Sequence, residues 1–276
     1  MSLADIIFVD MCKDIIKNGY SSENEKVRPR WSDGSFANTI KKFGIINRYD
    51  LSVEFPIITL RPTNLKAAID EIIWIWIKKS NDIRDLNSNI WNEWTDEKNT
   101  IGKAYGYQLG RKIDFPEGKM DQVDWILKTL KNNKNSRRII SNIFNHDDLK
   151  DMQLHPCAWS ITLNVTGNKL NMILNQRSQD ILVANNWNVC QYAILLMMFA
   201  QCSNLQAGEL VHVIADAHIY DKHIKLIKEL IGREQHRAPI LKMNPLKKDF
   251  YEFKVDDFEL IDYIAGKQIR NIPVAI

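Results

Sequence analysis

The sequence predicts an α+β fold: a layered single domain with a mixed β-sheet, a buried central hydrophobic helix and surrounding helices. Three observations carry this. Trp159–Val165 and Lys169–Leu174 read as two strands joined by a short turn at Thr166-Gly167-Asn168. Trp187–Cys202 is apolar all round, the pattern of a helix with no solvent-facing side. Strands and helices intermix without strict βαβ alternation, which points to layers and not to a doubly wound parallel sheet.

Taken in order, Met1–Lys17 is amphipathic and carries Asp5, Asp10 and Asp14, unlike a signal peptide. Ser21–Asp33 is polar and reads as a loop. Glu54–Leu60 is an apolar, Ile-rich run and reads as a strand. Asn64 is placed to cap a helix over Leu65–Lys79, where Leu65, Ile69, Ile72, Ile73 and Trp76 recur at helical spacing. Asp121–Lys131 reads as a second amphipathic helix, Leu210–Ile219 as a strand, and Tyr220–Gly232 as a helix ending at its glycine. No Pro/Gly/Ser-rich linker divides the chain, so residues 1–276 are expected to form one domain.

The bulk composition excludes several classes. A chain of 276 residues with 45% hydrophobic and 26% charged residues is an ordinary globular protein. A net charge of +3 gives no electrostatic footprint for nucleic acid. No run approaches the roughly 18 apolar residues of a membrane span. Cys12, Cys157, Cys190 and Cys202 lack metal-ligand spacing, so no metal is expected, and a reducing cytoplasmic setting suits unpaired thiols.

The chemistry concentrates around Leu154-His155-Pro156-Cys157 and Gln176-Arg177-Ser178-Gln179-Asp180. If the two strands pair antiparallel, Cys157, just before the first, meets Arg177, just after the second, at one sheet end. A thiol beside an anion clamp suits covalent attack on a phosphorylated substrate; a small core hydrophobe is the plainer reading of a lone Cys. Arg28, Arg30, Arg137 and Arg138 lie in polar loops and are either solvated or phosphate-binding. Asn186-Trp187-Asn188 opens the apolar helix. An Asn there either caps it or, with one donor and one acceptor, pairs with the C4 carbonyl and N3–H of a uracil-like ring. Alternation puts Asp216, His218 and Tyr220 on one strand face, where His and Tyr could grip a sugar hydroxyl. Glu71 sits among Ile69, Ile72, Ile73, Trp74 and Trp76, as an exposed-face residue or as a buried acid–base group. Trp91 and Trp94 are core residues or a stacking wall, and Tyr105 offers a phenol.

Together these pieces resemble the folate-dependent thymidylate synthase family. The motifs occur in order over most of the chain: Val27-Arg28, Asp70–Trp74, Ile90–Trp94, Ala104–Gly106, Ser136–Ile140, Pro156-Cys157, Gln176–Asp180, Trp187-Asn188, Asp216–Tyr220 and Pro273–Ile276. The resemblance implies reductive methylation of dUMP to dTMP with 5,10-methylenetetrahydrofolate as donor of carbon and hydride. Cys157 is then the nucleophile at uracil C6, with Glu71, Tyr105 and Asn188 completing the catalytic set. Arg28, Gln176, Arg177, Ser178, Gln179, Asp180, Asn188, His218, Ile219 and Tyr220 are expected around dUMP, with Arg137 and Arg138 donated by the partner of an obligate homodimer whose sheets pack back to back. Asn64, Trp91, Trp94, Asp180, Ala275 and Ile276 are expected around the folate.

The sequence departs from the family pattern at Ala158, where a His often stands, and at Asn64, where another His is common. It also departs over Leu182–Trp187, usually Leu-Gly-x-Pro-Phe, and at Ile214-Ala215, often a Gly pair. Two other functions share parts of this pattern: a dUMP hydroxymethylase of the same fold, and an inactive nucleotide- or RNA-binding relative. The intact Cys157, Glu71 and Tyr105 speak against the second.

Overall fold

Alternation along the strands sorts the central sheet into one face that helices cover and one that they leave open. In the computed structural model, which describes residues 1–276, the elements run as follows. Helix α1 (Leu3–Asn18) leads to strands β1 (Tyr20–Ser21) and β2 (Thr39–Asp50), then helices α2 (Leu65–Trp76) and α3 (Gly106–Gly110). A hairpin, β3 (Ile113–Phe115) and β4 (Gly118–Met120), precedes helix α4 (Gln122–Asn132) and strands β5 (Ile139–Asn142), β6 (Ala158–Thr166) and β7 (Lys169–Asp180). Helix α5 (Asn185–Cys202), strand β8 (Gln206–Tyr220), helix α6 (Ile224–Leu230) and the pair β9 (Ile240–Met243) and β10 (Phe258–Ile261) complete the chain.

The main sheet has the order β1-β2-β8-β7-β6-β5. Every neighbouring pair is antiparallel except β7 and β8, which run parallel, so the sheet is mixed as expected. A parallel pair needs a crossover, and α5 supplies it. Tyr49, Leu210, Met172, Leu163 and Ile139 stand in register across five strands and are all buried. Helices α5 and α1 pack on this side, with Asn47 of the same face donating to the Met11 sulfur on α1. The opposite face carries the row Arg48, Val211, Ile173, Thr162 and Ile140, and leaves Ile46, Ile140 and Ile173 exposed. Helix α5 is the buried central helix the composition predicts: Trp76 of α2 meets Phe199 edge-on at 5.9 Å, and Phe199 stacks on Phe250 at 4.7 Å. No helix is long and apolar enough to cross a membrane.

Several expectations need correction. Glu54–Leu60 is not a strand. Phe55, Ile57, Ile58 and Leu60 are buried, but Pro56 lacks an N–H, the Ile57 N–H turns back to the Phe55 carbonyl, and two donors go to side chains: Ile58 N–H to Asn186 Oδ1 at 3.0 Å and Thr59 N–H to Asp5 Oδ1 at 2.7 Å. The Leu65 helix ends at Trp76 instead of Lys79, which adopts a φ of 52°. Tyr220–Gly232 is not one helix: Tyr220 closes β8, Asp221–His223 form a 3₁₀ turn, and α6 spans Ile224–Leu230. Strand β7 continues to Asp180, so the Gln176–Asp180 motif lies on the strand and not after it.

Candidate active site

The sheet topology decides which motifs meet. Antiparallel pairing of β6 and β7 sets Arg177 beside Cys157, and the Arg177 N–H donates to the Cys157 carbonyl at 2.9 Å. Parallel pairing of β7 and β8 then sets Ser178 opposite Asp216 and Asp180 opposite His218. These strand ends, the starts of α2 and α5, and the loops around Arg28, Trp91 and Tyr105 enclose a cavity of about 1140 Å³. The C-terminal segment closes one side. Reciprocal backbone hydrogen bonds between Arg30 and Ile276, at 2.7 and 3.0 Å, hold it there.

Most of the expected site residues line this cavity: Arg28, Asn64, Glu71, Trp91, Trp94, Tyr105, Cys157, the whole run Gln176–Asp180, Asn188, His218, Tyr220, Ala275 and Ile276. Three do not. Ile219 alternates to the far side of β8 and is fully buried in the second hydrophobic cluster. Arg137 and Arg138 lie exposed in the loop before β5, outside this chain's own cavity. Arg28 and Arg30 also part company: Arg28 lines the cavity, whereas Arg30 stacks on the Phe36 ring at 3.5 Å.

Cys157 is half-buried, and Arg177 Nη2 stands 3.7 Å from its sulfur. The same guanidinium donates to the carbonyls of Pro156 at 3.0 Å and His155 at 2.7 Å, which fixes its place beside the thiol. Burial pushes the Cys157 thiol above its ordinary range, while the Arg177 charge pulls it back down by favouring thiolate. The Cys157 N–H donates to the Tyr105 hydroxyl at 3.1 Å. Burial also lifts the Tyr105 phenol well above its usual value, so it stays protonated.

Glu71 is buried, and three side-chain donors converge on its carboxylate: Trp91 Nε1 at 2.8 Å, Trp187 Nε1 at 2.5 Å and Gln191 Nε2 at 2.7 Å. Desolvation raises its pKa above the usual carboxylate range, and those three bonds oppose the rise. From Glu71 a continuous amide chain leads to the cavity. Gln191 Oε1 accepts from Asn188 Nδ2 at 3.1 Å, Asn188 Oδ1 accepts from Gln176 Nε2 at 3.1 Å, and Gln176 Oε1 bonds the His212 ring at 2.7 Å. His212 is fully buried and its pKa is lowered to about 3 by desolvation, so it is neutral. At the end of β8, Asp216 bonds His218 Nδ1 at 2.8 Å, and Tyr220 packs edge-on against His218 at 5.0 Å.

Asn64 accepts from the Ala67 N–H at 3.2 Å as the expected helix cap, and it also lines the cavity. Asn186 does not cap α5. It bonds the Ile58 and Thr63 segment instead. Gln191 is the residue sequence reasoning missed. Its signal was a polar amide three residues after Asn188 on an otherwise apolar helix.

A thiol held beside a guanidinium and a buried carboxylate in the same cavity bring a candidate nucleophile, an anion clamp and an acid–base group together. Comparison with known proteins agrees. The thymidylate synthase family model matches residues 6–276. Thymidylate synthases of Bacillus subtilis subsp. natto and of Bacillus phage phi3T are each 44% identical over 98% of both chains. The solved thermostable thymidylate synthase A from Bacillus subtilis is 43% identical, covers 99% of each chain and superposes with a TM-score of 0.93. The chain therefore belongs to the thymidylate synthase family, and the resemblance read from its motifs is borne out.

Proposed function

We propose that this chain converts dUMP to dTMP by reductive methylation, with Cys157 as the nucleophile. The observation that carries this is the Cys157–Arg177 pair in one cavity with the Glu71–Gln191–Asn188 chain. The co-substrate 5,10-methylenetetrahydrofolate supplies the one-carbon unit and the hydride, and dihydrofolate leaves. Sulfur adds to C6, which makes C5 an enolate nucleophile able to take up that carbon. Tyr105, against the Cys157 backbone, assists at C5, and Glu71, through water and Asn188, moves protons on the pyrimidine. Arg28, Arg177 and Ser178 hold the phosphate, and His218 and Tyr220 the 3′ hydroxyl. Trp91, Trp94, Asn64, Asp180, Ala275 and Ile276, all of which line the cavity, take the folate, with the two indoles as a wall for its flat pterin.

The enzyme works as a single catalytic domain and as a homodimer. The open face of the sheet, with exposed Ile46, Ile140 and Ile173, is the surface that two copies pack back to back, and each copy lends Arg137 and Arg138 to its partner's phosphate. A reducing cytoplasmic setting keeps Cys157 free.

Product analysis tests the reaction. Thymidylate with dihydrofolate is expected; hydroxymethyl-dUMP with tetrahydrofolate identifies the hydroxymethylase instead. Base reading has its own test. Gln176 donates to Asn188 Oδ1, and Asn188 Nδ2 faces Gln191, so its amide is held in one orientation. Asn188→Asp presents acceptors only, which suit the amine of cytosine. Competition kinetics are expected to move dUMP/dCMP preference toward dCMP by at least about tenfold, roughly one hydrogen bond to a base edge. Unchanged discrimination contradicts the role.

A further inference from the structure

Trp187 carries an indole N–H, a hydrogen-bond donor and no acceptor. It lies in the first turn of α5, half-buried, on the helix face it shares with Gln191 four residues on. The turn is anchored from behind: Asn186 accepts from the Ile58 N–H and donates to Thr63 Oγ1. That anchorage aims the indole across to α2, where Nε1 reaches Glu71 Oε2 at 2.5 Å. Trp91 takes the other oxygen, Oε1, at 2.8 Å and is itself wedged between Trp74 and Tyr105, with centroids at 5.9 and 5.2 Å. Gln191 adds a second donor to Oε2 and is braced by the Ala68 carbonyl at 3.2 Å.

We propose that Trp187 is a positioning residue which, together with Trp91 and Gln191, clamps both oxygens of Glu71 and holds its carboxylate ionised inside a desolvated site. A carboxylate offers about four lone-pair directions, and three donors fill three of them. The remaining one, on Oε1, is left for the proton that Glu71 exchanges with the cavity. No cation takes part in the clamp. The titratable groups that face Glu71 are Asp70 on its own helix and the Tyr105 and Tyr192 phenols. Burial keeps both phenols protonated, and Asp70 disfavours a second negative charge. Neutral donors must therefore offset the desolvation of Glu71, and Trp187 makes the shortest of the three contacts.

The inference deepens the acid–base role proposed for Glu71, and two readouts keep them separable. The first is the titration of the Glu71 side-chain carboxyl by ¹³C NMR in the unliganded protein, with the signal assigned by its loss in Glu71→Gln. The second is the limb of the kcat–pH profile that Glu71→Gln abolishes. Trp187→Phe keeps an aromatic ring and removes the N–H. Benzothienylalanine at position 187 keeps the bicyclic shape and also lacks the N–H, so it carries the test should Trp187→Phe fold poorly. Both variants are expected to titrate about one pH unit higher, a tenfold change in the protonation constant, as fits loss of one hydrogen bond to a charged group. The kcat limb should move with it, and KM for dUMP should stay within about twofold. A wild-type NMR midpoint in the benzothienyl variant overturns the inference. A shifted NMR midpoint without any Glu71-dependent kcat limb upholds the clamp and overturns the catalytic reading of Glu71 instead.

Discussion

Cys157→Ser is expected to abolish turnover while leaving dUMP binding within about tenfold of wild type, a loss in kcat of at least roughly 10³. The geometry explains the asymmetry. In the proposed site Cys157→Ser touches only Arg177 among the dUMP contacts, and Arg177 keeps its bonds to the Pro156 and His155 carbonyls. The proposed catalysis needs the Cys157 sulfur, which lies 3.7 Å from the Arg177 guanidinium. Burial raises the thiol and Arg177 pulls it back, and a thiol ionises far more readily than a serine hydroxyl. Denaturing mass spectrometry after incubation with a fluorinated dUMP analogue and methylenetetrahydrofolate should find a covalent adduct on wild type and none on the variant. Activity within tenfold of wild type would end the covalent reading.

Glu71→Gln has the next largest expected effect, about 10²–10³ in kcat with little change in KM for dUMP, the usual weight of a positioned acid–base group. The amide preserves size, yet it offers one acceptor oxygen to three converging donors and cannot exchange a proton. A fall of less than threefold would remove Glu71 from the mechanism. The variant also has a pH signature in stability. Because the folded pKa of Glu71 lies above its unfolded value, its contribution is complete below the ordinary carboxylate range and is lost as pH rises through the folded value. The Tm of Glu71→Gln relative to wild type should therefore improve across that window. A difference that does not change with pH contradicts the raised value.

What could be read in advance follows from how local each signal is. The β6–β7 strand pair was legible because its turn is short and Gly167 takes a φ of 64° there. Helix α5 was legible because Gln191, the residue whose role was missed, is the one amide between Val189 and Ala200. Strand β2 left no clear trace. Lys41, Lys42 and Gly44 break its alternation, and its partner β8 lies far along the chain. Glu54–Leu60 misled because apolar content resembles a buried strand, while its Ile58 and Thr59 N–H groups bond the side chains of Asn186 and Asp5 and not a neighbouring strand. The cavity residues were legible as motifs, whereas the donors on Glu71 were not, because indole N–H direction depends on tertiary packing.

The single parallel neighbourhood in the sheet has a temporal consequence for the nascent protein. Ser178 and Asp180 acquire Asp216 and His218 as neighbours only after residues 181–205 have left the ribosome, coiled and docked. That long-range closure is entropically slow. Nucleotide affinity should thus emerge late in synthesis, with the loop around Cys157 waiting, without its sugar grip, for the eighth strand to arrive.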